Sequence, residues 1–223
     1  GGFCPFCPGN ESKTPSEVLA YRPSGTGRDT PGWTVRVVPN KFPALQIEGS
    51  LNRAADGMFD KMAGVGAHEV IIETPDHGAS LATLSVDAVT EVLVAFRDRV
   101  LDLKRDARFQ YVLVFKNHGE AAGTSLTHPH SQIVGMPVLP GQLRARLEEA
   151  VRHWGDKGEC LYCRSLHEEL HDGMRIVAEN ASFAAFVPYA ALSPFHIWIF
   201  PKRHCAYFGD VSDTEVGDLA MVL

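Results

Sequence analysis

The chain contains two Cys-x-x-Cys pairs, and a similar order of elements follows each of them. After each pair come an apolar extended run, a loop and a second apolar run that closes at a histidine before a helix. The shared positions are Cys4, Cys7 and His77 in the first half, and Cys160, Cys163 and His204 in the second. This recurrence predicts two related halves. The alternative is a chance alternation of strands and helices, because short patterns recur easily.

The polar stretch 153–159 is the best candidate boundary between the halves. We therefore predict a first domain over residues 1–152 and a second over residues 153–223, the second incomplete at its C-terminal end. Strands outnumber helices in the predicted pattern, and neighbouring strands could pair by hairpins, which favours an α+β fold with mainly antiparallel sheets. Ser85 and Ser212 are predicted helix N-caps, the latter with Glu215 in a capping box.

Charge and apolar runs exclude several classes of function. A net charge of -6 argues against binding a nucleic acid polymer, which needs a basic face. No apolar run approaches the roughly 18–20 residues that span a bilayer, and no secretory signal is visible. Paired cysteines beside ten histidines favour metal sites in a reducing compartment over disulfides. We therefore expect a cytoplasmic protein without a membrane partner.

The first cysteine pair predicts a structural zinc site. Cysteine and histidine are the ligands that structural zinc prefers, and a Cys₂His₂ set is available in Cys4, Cys7, His77 and His128. The rival interpretation is a redox-active pair, which normally begins a helix. Prolines and a glycine surround this pair, which suits a metal-binding loop better. Such a zinc would hold the neighbouring backbone in place and would not activate water.

The segment 117–132 carries the densest chemical signal. On an extended segment His128 and His130 share one face, so one could bind a metal while the other addresses a substrate. Neutral imidazole is a good nucleophile for phosphorus. Ser125, amides near Gly123 and the side chain of Gln132 could donate hydrogen bonds to phosphate oxygens. The alternative is a surface loop with incidental histidines.

Three segments together resemble the galactose-1-phosphate uridylyltransferases, a branch of the histidine-triad superfamily built from two related halves. They are 4–11, 74–77 and the His-Pro-His-x-Gln region 117–132. The resemblance implies that His130 attacks the α-phosphorus of a nucleoside diphosphate sugar. Nucleotidyl-His130 forms, and a second sugar 1-phosphate then takes the nucleotide, which this family implies is UMP.

The same resemblance assigns roles to further residues. It implies that Gln132 assists catalysis, that Asn40 lies in the nucleoside pocket, and that the protein is a homodimer. It also implies phosphate contacts from Asn117, Gly123, Ser125 and Gln132, and zinc binding by Cys4, Cys7, His77 and His128.

Several positions depart from the family pattern. Lys41 stands where the galactose enzymes carry Asp, Ser131 where they carry Gly or Cys, and Arg146 where they carry a metal-binding Glu. The second cysteine pair resembles a second zinc site of a branch that includes plant ADP-glucose phosphorylases. Its predicted ligands are Cys160, Cys163 and His204, with His167 or His171 as alternatives to the histidine. An ADP-sugar phosphorylase or adenylyltransferase that uses His130 therefore stays open, as does a non-catalytic nucleotide-binding zinc protein.

A short motif offers an unrelated alternative. Residues 167–171 match H-E-x-x-H, the metalloprotease pattern, which needs a sustained helix and a third ligand. This segment is polar on most sides and meets Gly173 almost at once, so we expect no protease site.

Overall fold

The computed structural model describes residues 2–223, and the chain divides into two compact units, Gly1–Val138 and Leu139–Leu223. The boundary predicted between residues 152 and 153 instead lies inside a helix, Gly141–Lys157. The polar residues of 153–159 continue this helix through Lys157. It ends at Gly158, whose left-handed φ of 71° suits a glycine and whose N–H donates to the Trp154 carbonyl.

The first unit is an antiparallel sheet with one long helix. Its described elements are β1 Leu19–Tyr21, β2 Val35–Pro39, β3 Ala54–Asp56, β4 Phe59–Lys61, β5 Ala67–Ile72, α1 Val86–Leu103, β6 Tyr111–Phe115 and β7 His130–Met136. The main sheet has the order β1-β2-β5-β7-β6, and β3 pairs with β4 separately. All these pairs are antiparallel. This arrangement confirms the predicted α+β class.

The core of this unit lies on the central strand β5 and its neighbour β2. Both are buried along most of their length, and α1 packs against them and against β6 and β7. The predicted cap is confirmed, since the Ser85 hydroxyl accepts from the Ala88 N–H. A buried apolar cluster joins the N-terminal segment to the sheet, formed by Cys4, Phe6, Trp33, Val38, Val70 and Ile72. The first cysteine pair is therefore anchored beside the end of β5.

The second unit combines three helices with a small antiparallel sheet in its described residues. Its elements are α2 Gly141–Lys157, α3 Leu161–Asp172, β8 Ile176–Glu179, β9 Phe183–Phe186, β10 Trp198–Pro201 and α4 Asp213–Val222. The sheet has the order β10-β9-β8. The capping box of Ser212 and Glu215 at α4 is confirmed. The sequence analysis did not predict α2 or α3.

One local arrangement occurs in both units. In the first, the Ala44 N–H in the loop after β2 donates to Nδ1 of His68 at 3.0 Å. In the second, the Leu192 N–H in the loop after β9 donates to Nδ1 of His196 at 3.1 Å. The strand registers Val38↔Val70 and Phe186↔Trp198 place both donors and both histidines at matching positions. This match supports two related halves, which stays a prediction.

Within residues 2–223, the helices lack the combination of length and apolarity that a membrane crossing requires.

Candidate active site and metal centres

The structure brings the four predicted ligands of the first metal site together. The Sγ and ring nitrogen atoms of Cys4, Cys7, His77 and His128 all lie within 4.8 Å of one another. Cys7 Sγ lies 3.4 Å from His77 Nδ1 and 3.6 Å from His128 Nδ1. The two Nδ1 atoms are 3.3 Å apart. Two sulfurs and two imidazole nitrogens converge on one point, as a tetrahedral metal site requires.

The hydrogen bonds of the two histidines leave Nδ1 free for a metal. His128 Nε2–H donates to the Thr74 carbonyl at 2.8 Å, so the lone pair is on Nδ1. His77 Nε2 contacts the Thr127 hydroxyl at 3.1 Å. Metal-binding histidines commonly bond a backbone carbonyl or a similar partner through the other ring nitrogen. Burial, with the neighbouring His77, lowers the pKa of His128 and keeps its imidazole neutral. The donor set therefore fits a metal ion.

The cysteine loop is held by a buried carboxylate. Glu11 is 5% exposed, and its two oxygens accept from the Gly9 N–H and from the Trp33 indole N–H, both at 2.9 Å. Asn10 Nδ2 donates to the Cys4 carbonyl at 2.8 Å. Burial, together with a hydrogen bond that the Cys7 thiol donates to Cys4, raises the pKa of Cys7. Binding of a metal would therefore release a proton from Cys7.

Replacing Cys7 by serine is expected to remove one metal equivalent per chain, because the hydroxyl is a poor substitute for a thiolate ligand. Metal analysis by mass spectrometry after gel filtration measures this. Cys205→Ser is the matched control, since Cys205 Sγ contacts the Tyr207 carbonyl and belongs to neither metal-binding group of the described residues. Unchanged metal content in Cys7→Ser would contradict the first site.

His130 is the first residue of β7 and lies opposite Ile72 of β5. Its Nδ1 lies 2.8 Å from the His128 carbonyl oxygen. A carbonyl can only accept, so Nδ1 carries a proton, and in the neutral ring Nε2 therefore carries the lone pair. The edge of the Phe6 ring packs against this imidazole with centroids 5.4 Å apart. The half-buried His130 therefore presents an unprotonated Nε2.

The buried or half-buried side chains of Glu73, Lys116 and Ser131 form a hydrogen-bond network at the start of β7. The sequence analysis missed this role for all three. Lys116 Nζ donates to both oxygens of Glu73, at 2.9 and 2.8 Å, and to the His130 carbonyl at 3.0 Å. The Ser131 hydroxyl donates to Glu73 at 2.6 Å. Glu73 is 1% exposed, so Lys116 pairs with it as the cation and Ser131 adds a hydrogen bond where water reaches poorly. Ser131, noted only as a departure from the family, is thus part of a buried network.

Gln132 lies two residues beyond His130, and its Oε1 is the centre of a second network. His68 Nε2 lies 2.8 Å from this oxygen, and Asn40 Nδ2 lies 3.4 Å from it. Two predicted residues, Asn40 and Gln132, therefore meet. His68 had no predicted role.

Two cavities border His130 in the first unit. One, of about 570 Å³, is lined by Asn40, Ser125, His130 and Gln132 together with Phe6 and Lys41. The other, of about 480 Å³, is lined by Asn117, Ser125 and His130 among others. Gly123, the remaining predicted residue, lines neither of these two cavities. It ends a short turn with φ of 80°, which explains a glycine there.

Thr124 is a further residue that the sequence analysis missed. It lines the second cavity, and its buried hydroxyl has no hydrogen-bond partner among the described residues. A buried hydroxyl without a partner is costly, so this atom is a candidate ligand contact. The sequence signal that could have identified Thr124 is its position between Gly123 and Ser125, two predicted phosphate contacts.

The second unit brings Cys160, Cys163 and His204 into one group, with ligand atoms within 4.8 Å of one another. Cys163 Sγ lies 3.1 Å from His204 Nδ1. Burial, with a hydrogen bond that the Cys163 thiol donates to Cys160, raises the pKa of Cys163. The alternatives His167 and His171 do not belong to this group, and residues 2–223 supply no fourth ligand atom to it.

The H-E-x-x-H segment lies on α3, whereas we expected no sustained helix there. Glu169, a buried residue inside the motif, forms an ion pair with Arg175 at 2.7 Å, and this pair stabilises the C-terminal end of the helix. Within the described chain, neither histidine of the motif joins a metal-binding group, so the protease alternative gains no support.

Comparison with known proteins identifies the family. Residues 3–140 match the sequence model of the galactose-1-phosphate uridyl transferase N-terminal domain. An ADP-glucose phosphorylase of Arabidopsis thaliana is 31% identical over 99% of this chain and 60% of that protein. A galactose-1-phosphate uridylyltransferase of Thermotoga maritima is 31% identical over 82% of this chain and 58% of that protein. The chain thus spans about three fifths of the length of these relatives.

Solved structures agree with the sequence comparison. The Arabidopsis thaliana ADP-glucose phosphorylase with bound ADP-glucose superposes with a TM-score of 0.85 at 30% identity, over 100% of this chain and 66% of that one. A uridylyltransferase structure gives a TM-score of 0.83 at 33% identity, over 99% of this chain and 65% of that one. These matches confirm the resemblance found in the sequence: the chain belongs to the galactose-1-phosphate uridyl transferase family.

Proposed function

We propose that this protein is a nucleotidyltransferase that works through a covalent nucleotidyl-His130. The carrying observation is the hydrogen bond from His130 Nδ1–H to the His128 carbonyl, which leaves Nε2 as the nucleophile. Nε2 attacks the α-phosphorus of a nucleoside diphosphate sugar. The bond from that phosphorus to the bridging oxygen breaks, and the sugar 1-phosphate leaves with the electron pair.

The second step reverses the first with another acceptor. A phosphate oxygen of a hexose 1-phosphate attacks the phosphorus of nucleotidyl-His130, the P–N bond breaks, and the neutral imidazole returns. While the nucleotide is attached, the ring is cationic because Nδ1 keeps its proton. The His128 carbonyl accepts from that N–H throughout, which stabilises the cation.

The residues around His130 suit the substrate of this reaction. The cavity of about 570 Å³ offers apolar and aromatic walls for a nucleoside, with Asn40 among its polar groups. Gln132 and Ser125 reach the same space and would donate to the α-phosphate. Asn117 and Ser125 in the second cavity, with the backbone near Gly123, would contact the remaining phosphate oxygens.

Zinc fits the first metal site by the chemistry of its donor set. Cys4, Cys7, His77 and His128 would hold it, and its contribution would be to fix the backbone. His128 is two residues from His130, so this anchor sets the position of the nucleophile. Cys160, Cys163 and His204 would hold a second zinc ion with one further ligand. A homodimer in the cytoplasm remains part of the proposal by family resemblance.

The base of the transferred nucleotide, uracil or adenine, is the main alternative within this proposal. Uridylyl transfer is the activity named for most of the relatives, including the Thermotoga maritima protein. Adenylyl transfer, with inorganic phosphate or a sugar phosphate as acceptor, is favoured by the match to the Arabidopsis thaliana ADP-glucose phosphorylase along 99% of this chain. Lys41 in the cavity wall, where the galactose enzymes carry Asp, also separates this chain from them.

The test is the intact mass of the protein after mixing with UDP-glucose or, separately, with ADP-glucose. A mass increase equal to UMP or AMP, mapped to the peptide that contains His130, would support the covalent mechanism and name the base. Nucleotide binding without an adduct from either donor would favour a non-catalytic nucleotide-binding zinc protein. Release of the adduct by phosphate or by galactose 1-phosphate then separates a phosphorylase from a transferase.

A further inference from the structure

We infer that His68 is a positioning residue that turns the amide NH₂ of Gln132 toward the phosphate beside His130. The inference rests on the proposed function, since it concerns a residue that acts on the same phosphate. His68 does not line the described cavity of about 570 Å³, whereas Gln132 and His130 both do. It therefore acts through Gln132 and does not touch the substrate.

The direction of each hydrogen bond follows from the backbone. The Ala44 N–H donates to His68 Nδ1 at 3.0 Å, so Nδ1 is the unprotonated nitrogen of a neutral ring. The proton is therefore on Nε2. At 2.8 Å, His68 Nε2–H donates to Oε1 of Gln132. The loop after β2 thus determines the tautomer of His68, and this tautomer determines the orientation of the Gln132 amide.

Asn40 reinforces the same orientation. Its Oδ1 accepts from the Phe42 N–H at 2.9 Å, so its Nδ2 faces the pair of His68 and Gln132, 3.1 Å from His68 Nε2 and 3.4 Å from Oε1 of Gln132. Two donors therefore converge on one oxygen. If the amide of Gln132 were rotated by half a turn, its NH₂ would face both donors and two hydrogen bonds would be lost. The network leaves the NH₂ of Gln132 free for the cavity.

This orientation matters most in the transition state. The non-bridging oxygens gain negative charge as Nε2 of His130 attacks, and a donor already aimed at them needs no reorganisation. An amide that could rotate would present its own oxygen part of the time and repel that charge. Loss of the orientation is therefore expected to lower kcat more than it raises KM.

His196 in the second unit provides a matched control. The Leu192 N–H lies 3.1 Å from its Nδ1, as the Ala44 N–H lies 3.0 Å from His68 Nδ1. The Trp198 indole N–H lies 3.1 Å from its Nε2, so this histidine faces two donors and, among the described residues, contacts no glutamine. His196→Leu therefore removes the same kind of bond between a histidine and a loop without affecting Gln132.

The experiment compares single-turnover rates of nucleotidyl-His130 formation. His68→Leu is expected to slow the step roughly tenfold to a hundredfold, less than the roughly 10²–10³ that loss of a donor itself costs. His68→Gln is expected to recover most of the rate, because its amide NH₂ can donate to Oε1 of Gln132. His196→Leu is expected to react at the wild-type rate. Metal content and the unfolding midpoint check that each variant is folded.

A double-mutant cycle decides whether His68 acts through Gln132. His68→Leu is expected to add nothing to Gln132→Ala, since the oriented amide is already gone. Wild-type rates in His68→Leu, or independent losses that multiply in the double variant, would overturn the inference while the adduct on wild-type protein keeps the proposed function. If wild-type protein forms no adduct with either donor, the proposed function fails and the inference fails with it.

Discussion

His130→Gly is expected to abolish nucleotide transfer, with turnover lowered by roughly 10⁶, the cost seen when a covalent protease loses its nucleophile. The glycine provides no atom at the position of Nε2, so the reaction loses its intermediate and both of its steps. The fold and metal content should persist, because the described hydrogen bond of the imidazole goes to the adjacent His128 carbonyl. The measurement pairs steady-state transfer between sugar phosphates with intact mass.

The control for this variant is His167→Ala. His167 is exposed on α3, and the protease alternative would require it as a ligand. Full transfer activity in His167→Ala and no adduct in His130→Gly is the expected pair of results. Turnover by His130→Gly at a rate near that of the wild type would show that substrate phosphates react directly with each other.

The sequence predicted the parts of the site that are local or that depend on distinctive residue types. Cys4, Cys7, His77 and His128 have few chemical uses in combination, so their convergence could be expected before their positions were known. Residues two apart on an extended segment share one face, so the sequence predicted that His128, His130 and Gln132 lie on the same side. The cap at Ser212 followed from Glu215 three positions later, and the cap at Ser85 from the helical spacing of the apolar residues after it.

Two helices, α2 and α3, bury little and were missed by the sequence analysis, although both carry a helical pattern. The structure describes no residue of α2 as buried, and only Leu166 and Glu169 of α3 are. An apolar stripe is the main sequence signal of a helix, and it is present at Leu143, Leu147, Val151 and Trp154 of α2 and at Leu166 and Leu170 of α3, but the sequence analysis did not use it. The predicted domain boundary lies inside α2, because the polar residues of 153–157 resemble a linker in sequence although they continue this helix.

The buried hydrogen-bond network next to His130 was missed because it depends on strand register. Glu73, Lys116 and Ser131 come from the ends of β5 and β6 and the start of β7. Nothing in the spacing of these residues shows that they meet. Only the order β5-β7-β6 brings the carboxylate and the ammonium to one buried point.

Lys116→Met is expected to lower the free energy of unfolding by about 3 kcal/mol, near the lower end of the range for breaking a buried ion pair. The Glu73 side chain is 0% exposed, and Lys116 is 21% exposed. Without the ammonium the carboxylate keeps only the Ser131 hydroxyl at 2.6 Å, and water reaches it poorly. Urea denaturation of wild type and variant, with equal slopes, measures the change.

The double variant Lys116→Met/Glu73→Gln separates stability from positioning. A neutral amide removes the buried charge, so most of the lost stability should return. The rate of nucleotidyl-His130 formation should not return, because Lys116 Nζ also donates to the His130 carbonyl at 3.0 Å and methionine cannot. A displacement of about 1 Å can cost up to about 100-fold in rate, so the double variant should be stable and slow. If rate and stability recovered together, the pair would serve only the fold, and the bond to His130 would have no part in placing the nucleophile.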